Sequence, residues 1–91
     1  MLIVFDEFKR LANLDRHGLD FEAFEREFDF TSYIVLPARR SRTGRAREMF
    51  IGMMGERTVV AIISPLGTEA LAIVSLRHAS PRERKLYEEA R

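Results

Sequence analysis

The chain contains no cysteine. Disulfide scaffolds, thiol nucleophiles and cysteine-ligated zinc or iron–sulfur sites are therefore excluded. Two histidines without a cysteine argue against a dedicated transition-metal site. Residues 2–5 are the only apolar run near the start; no basic stretch precedes them, and Asp6 and Glu7 follow. That pattern predicts neither a secretory leader nor a membrane span, so the expected compartment is the cytoplasm. There is no glycine-rich phosphate loop, no Gly-x-Ser-x-Gly elbow and no pair of acids placed for glycoside chemistry. No cofactor is implied.

What remains is 91 residues, 46% hydrophobic and 32% charged, the balance of a single globular domain over 1–91. A domain this small buries only about 60–65% of its unfolded surface and gains from a partner. The net charge of +1 hides an asymmetry: residues 1–30 hold eight acids against four bases, a net of −4, which leaves +5 on 31–91. Arginine outnumbers lysine 13 to 2, and arginine is the better bidentate ligand for phosphate and carboxylate.

Residues 2–5 read as a strand buried on both faces. Asp6 suits an N-cap, Phe8, Leu11 and Ala12 follow at helical spacing, and Gly18 suits a C-terminal cap, which predicts a helix over 7–17. Asp20 caps a second helix, with Phe21, Phe24 and Phe28 on one face. Residues 32–36 are rich in β-formers and are stopped by Pro37. A polar loop covers 38–46, and residues 48–54 form a strand. Gly55-Glu56 fits a two-residue type II′ turn. Residues 58–63 read as a central strand, Pro65 and Gly67 as a turn, and 70–76 as another buried strand. Ser80-Pro81-Arg82-Glu83 supplies a serine N-cap, a proline at N1 and a glutamate at N3, the marks of a capping box. That use occupies Glu83, and Tyr87 is expected to pack on the sheet. The order β-α-α-β-β-β-β-α predicts an α+β fold: an antiparallel meander with the helices packed on one face.

Three groups carry candidate chemistry. Arg39, Arg40, Arg42, Arg45 and Arg47 stand within nine residues with no acid among them. Five like charges repel, so the segment is either a solvated mobile loop or one that meets an anion such as nucleic-acid backbone or an acidic protein segment. Arg16-His17-Gly18 closes the first helix. Cations before a capping glycine are ordinary helix chemistry; the alternative is an acid–base histidine whose pKa the helix C-terminus pushes upward, as suits a general acid. Arg77-His78 ends the last strand, either as a polar linker or as site residues. Histidine and arginine together suit metal-free RNA cleavage: a base takes the 2′-hydroxyl proton, cations stabilise the phosphorane, and an acid protonates the departing 5′-oxygen.

Phe5-Asp6-Glu7, Lys9, Ala12-Asn13-Leu14, Arg16-His17-Gly18, Phe21-Glu22 and Phe28-Asp29 resemble the opening of the BrnT family of bacterial toxins. Arg47, Ile51-Gly52, Gly55, Val59-Val60, Ser75, Arg77, Ala79, Glu83-Arg84 and Tyr87-Glu88 continue the resemblance over nearly the whole chain. It implies a RelE-like fold and a metal-independent endoribonuclease toxin that blocks translation. It also implies a BrnA-like ribbon-helix-helix antitoxin as partner, through which the complex meets operator DNA. Carried over, His17, Arg16, Arg47 and Arg77 become the catalytic set; apart from the resemblance, the arginine-rich loop and the end of the last strand make Arg39, Arg40, Arg42, Arg45 and His78 the expected RNA-binding residues.

The chain also departs from that pattern. Pro65-Leu66-Gly67 stands where the family often has an arginine, Ala72 replaces an arginine early in the last strand, and Arg45 stands for a glutamate before Arg47. The competing expectations are a catalytically weak or inactive homologue that serves as an antitoxin-binding or corepressor module, and a non-catalytic RNA binder. The second would need exposed aromatics for base stacking.

Overall fold

Asp6 opens the first helix as its spacing predicts, its carboxylate accepting the Phe8 N–H at 2.9 Å in a computed structural model that describes residues 2–91. The elements are β1 (Leu2–Val4), α1 (Glu7–His17), α2 (Phe21–Glu27), β2 (Phe28–Pro37), β3 (Glu48–Met54), β4 (Arg57–Leu66), β5 (Ala70–His78) and α3 (Pro81–Ala90). The predicted element order and α+β class are observed. Gly18 ends α1 in the left-handed region at φ 71°, donating its N–H to the Leu14 carbonyl. Gly55 has φ 66°, no non-glycine residue has positive φ among the described residues, and Met54 pairs with Arg57, which fits the expected type II′ turn.

Two expectations are corrected. The sheet runs β1-β5-β4-β3-β2, and its first pair is parallel, Leu2 opposite Ala70 through Val4 opposite Ala72. The helices also occupy both faces. Phe21 and Phe24 of α2 join Leu19, Phe50, Val59, Ala61, Ile63, Ile73 and Leu76 in one core, whereas Tyr87 of α3 packs with Ile51 and Val60 on the other side. Alternation along β3 and β4 supplies apolar residues to both faces, so both need a cover. The Tyr87 hydroxyl fixes α3 by donating to the Ser32 carbonyl at 3.0 Å.

Smaller differences have local causes. Phe28 leaves the helix and starts β2, yet its ring still stacks on Phe24 with centroids 4.7 Å apart. Pro65 lies inside β4 opposite Leu71 rather than in the turn. β3 pairs with β4 only as far as Ile63, so Pro65 sits where the strand has one neighbour and a missing N–H is tolerated. No helix among the described residues is long and apolar enough to cross a membrane.

Two details position side chains on the α3 face. Ile62 pairs with Ser75 but Ile63 pairs with Ile73, so Val74 is an extra residue in β5. The bulge changes the parity of the strand: Ile73 and Leu76 both enter the first core, and Ser75 and Arg77 turn to the opposite face. β1 reaches only Ala72, which leaves the outer edge of β5 unpaired beyond it. Asn13 of α1 fills that role, accepting the Leu76 N–H at 3.0 Å and donating to the Leu76 carbonyl at 2.8 Å.

Candidate functional site

α3 packs chiefly on β2 and β3, which leaves the β4–β5–β1 side of its face open. A row of small and basic residues crosses that side. Ser64 pairs with Ala72, Ala72 pairs with Val4, and Arg47, the residue before β3, lines the same hollow as Ser64. With Lys9 and Arg45 these residues line a cavity of about 310 Å³. A second hollow of about 570 Å³ is lined by Lys9, Arg16, His17, Val74 and Ser75, with Asp15 its single acid against Lys9 and Arg16. Lys9 and Val74 border both, so the two form one groove between α1 and the bulged part of β5. A larger concavity near the α1–α2 junction carries Asp20, Glu27 and Glu56 against Arg57, the wrong sign for a phosphate ligand.

The groove gathers Arg16, His17, Arg45 and Arg47 of the expected residues, and adds Lys9, Ser64 and Ser75. Lys9 precedes Arg16 by seven residues on the same helical stripe, a spacing that could have exposed it in the sequence. Ser64 was detectable as a polar residue closing the apolar run of β4. Its hydroxyl and the Arg47 Nε are both shielded from solvent and have no hydrogen-bond partner.

Arg77 is held differently from the free cation expected. Its two terminal nitrogens donate to the two oxygens of Glu83 at 2.7 and 2.9 Å. Glu83 also accepts the Ser80 N–H at 2.8 Å, so the predicted capping box and the ion pair share one carboxylate. The guanidinium and the Ser80 N–H hold the Glu83 carboxyl down to about 2, and the pairing raises Arg77. The pair fixes Arg77 at the end of β5, where its charge reaches His17.

His17 is half-buried at the last turn of α1. Its pKa lies below the ordinary 6.5, first because burial disfavours the imidazolium, then because Arg16, Arg77 and His78 repel it. The upward push expected from the helix terminus is thus reversed. A neutral imidazole at neutral pH is a proton acceptor, which suits a general base rather than an acid.

The arginine-rich loop is folded on itself. The Ser41 N–H donates to the Arg45 carbonyl, the Arg45 N–H donates to the Ser41 hydroxyl, and the Arg40 guanidinium donates to the Gly44 carbonyl at 2.7 Å. Gly44 closes this turn at φ 81°. Arg39, Arg40 and Arg42 stand on the loop outside the groove lining, and none of the five arginines pairs with a carboxylate among the described residues. His78 is exposed at the end of β5. No group of three or more histidine, aspartate or glutamate side chains gathers in a way that could hold a metal ion among the described residues.

Residues 5–83 match the family described as the ribonuclease toxin, BrnT, of type II toxin–antitoxin systems. The chain belongs to the BrnT family. It is also similar to the crystal structure of the Brucella abortus ribonuclease toxin BrnT, at 40% identity and a TM-score of 0.71, over 88% of this chain and 97% of that one. Among curated proteins none matches. The span shared with the BrnT family contains Lys9, Arg16, His17, Arg45, Arg47, Ser64 and Ser75 of the groove, and Arg77 beside it.

Proposed function

We propose that this chain is a metal-independent endoribonuclease that cuts RNA and so inhibits translation, with His17 as the general base. The observation that carries the reading is a half-buried imidazole, kept neutral, at one end of a cationic groove. His17 takes the proton of a 2′-hydroxyl, and the freed oxygen attacks the adjacent phosphorus. The 5′-oxygen leaves and is protonated as the bond breaks, so the product ends in a 2′,3′-cyclic phosphate. Arg16, Arg47 and Arg77 supply the positive field in which the crowded phosphorane forms. No step requires a metal, because guanidinium groups provide the charge. Arg39, Arg40, Arg42, Arg45 and His78 bind the flanking RNA, chiefly through phosphate.

The purified protein is expected to cut single-stranded RNA in the presence of a chelator. His17→Ala should lower the rate about 10²- to 10⁴-fold with its fold intact. A folded wild-type chain that leaves RNA whole removes the reading.

Family membership supports a BrnA-like ribbon-helix-helix antitoxin as partner, contact with operator DNA through that antitoxin, and a cytoplasmic site of action. A second reading, an antitoxin-binding or corepressor module with little activity, draws on α1 itself. Phe8 is 85% exposed and Leu11 48%, an apolar stripe suited to a partner. Leu66 at the end of β4 and Ala72 in the groove supply no cation either. Tight association with the antitoxin combined with uncut RNA would favour this alternative.

A further inference from the structure

We infer that the cavity between Arg47, Ser64 and Lys9 is a second phosphate subsite, which holds an RNA phosphodiester next to the one that is cut. The inference rests on the nuclease reading for the identity of the ligand, but not for the existence of the site. Ser64 is 2% exposed, and its hydroxyl has no partner; the Arg47 Nε beside it is in the same condition. Two orphaned donors at one cavity are costly unless something completes them. The cavity measures about 310 Å³, and Lys9 and Arg45 stand exposed on its rim. Four donor-bearing side chains, three of them cationic, define an acceptor-rich anion as the ligand. Asp6 is the one acid on the lining, and its carboxylate is engaged as the α1 cap.

The geometry separates this position from His17. Lys9 and Arg16 are seven residues apart on α1, about 10 Å along the axis. Arg45, Arg47 and Ser64 line one end of the groove and Arg16 and His17 the other, so two neighbouring phosphates of one chain can occupy it, with Arg47 contacting the second and adding its field at the first. Ala72 leaves the room: a larger side chain there would fill the cavity from the β5 side.

Inorganic phosphate and an uncleavable 2′-deoxy oligonucleotide, titrated separately into the folded protein and followed by backbone amide shifts, test the assignment. Phosphate should produce saturable shifts at Ser64, Ala72 and Val4. Ser64→Ala, which removes one charge-assisted hydrogen bond, should weaken binding of both probes by about tenfold or more. Ala72→Leu should do the same by occupying the space. Ser64→Ala should also hold or raise the melting temperature, because it deletes an unsatisfied hydroxyl. The oligonucleotide should displace bound phosphate. Wild-type affinity in Ser64→Ala, or a lowered melting temperature accompanying its loss of binding, overturns the subsite. Phosphate that binds but is not displaced overturns its assignment to RNA. Intact ribo-oligonucleotide after incubation with folded wild type defeats the nuclease reading alone, since neither binding arm depends on cleavage.

Discussion

Glu83 does two tasks with one carboxylate, and that makes its stability contribution readable by pH. Its folded pKa is depressed from an ordinary 4.5 to about 2, so the stabilisation is complete above 4.5 and is lost as pH falls toward 2. The Arg77 side chain is 32% exposed and that of Glu83 17%, so solvent trims the value to about 2 kcal/mol. Glu83→Gln should therefore melt lower than wild type at pH 7, with the gap closing between pH 4.5 and pH 2 in thermal scans. His17 obeys the same sign: its depressed pKa favours folding above 6.5, and that contribution is lost as pH falls through the folded value. The acid limb of the cleavage rate should lie below 6.5, and Arg16→Gln, by removing a repelling charge, should move it upward. An NMR titration of the imidazole checks both shifts. At this scale the sequence pointed to His17 and its neighbours but to the wrong pKa direction. The helix terminus is local and visible in the sequence, whereas burial and the approach of Arg77 and His78 are made by the fold.

Elements depend on a few contacts that no propensity reports. Asn13 is 8% exposed and bonds Leu76 twice and the Leu19 carbonyl once, so it joins α1 to the edge of β5. Asn13→Ala should cost about 2–4 kcal/mol by orphaning buried backbone groups, or roughly 10 °C or more in melting temperature. Gly52 is a second such point. A Cβ there would stand 2.7 Å from the Phe28 ring and 3.0 Å from the Tyr33 Cβ. Gly52→Ala should destabilise by about 1–3 kcal/mol, measured by denaturant unfolding. The local marks of caps and turns were legible: Asp6, Gly18, Gly55 and the Ser80–Glu83 box act where their chemistry predicts. The end of α2 was not, because Phe28 reaches the same neighbours from an extended backbone as from a helical one. The face chosen by α3 and the parallel pairing of β1 escaped for another reason. Both are decided by packing between segments distant in the chain.

Over the whole molecule, charge is sorted by position more than by amount. A net of +1 coexists with a groove that collects Lys9, Arg16, Arg45 and Arg47. Binding of single-stranded RNA should weaken with salt, with a slope of about −3 in log K against log salt for four phosphate contacts. Each neutralised groove cation should reduce that slope by about 0.7 in a potassium chloride titration. The pairing of Leu2 with Ala70 carries a consequence for how such a protein is made. The first strand waits for the last strand of the sheet, about seventy residues later, and such distant closures come late in folding. Until β5 has left the ribosome, α1 has no edge on which to set Lys9, Arg16 and His17. A nascent chain then lacks the groove, and one stopped at Glu69 should show no cooperative melting and cut no RNA.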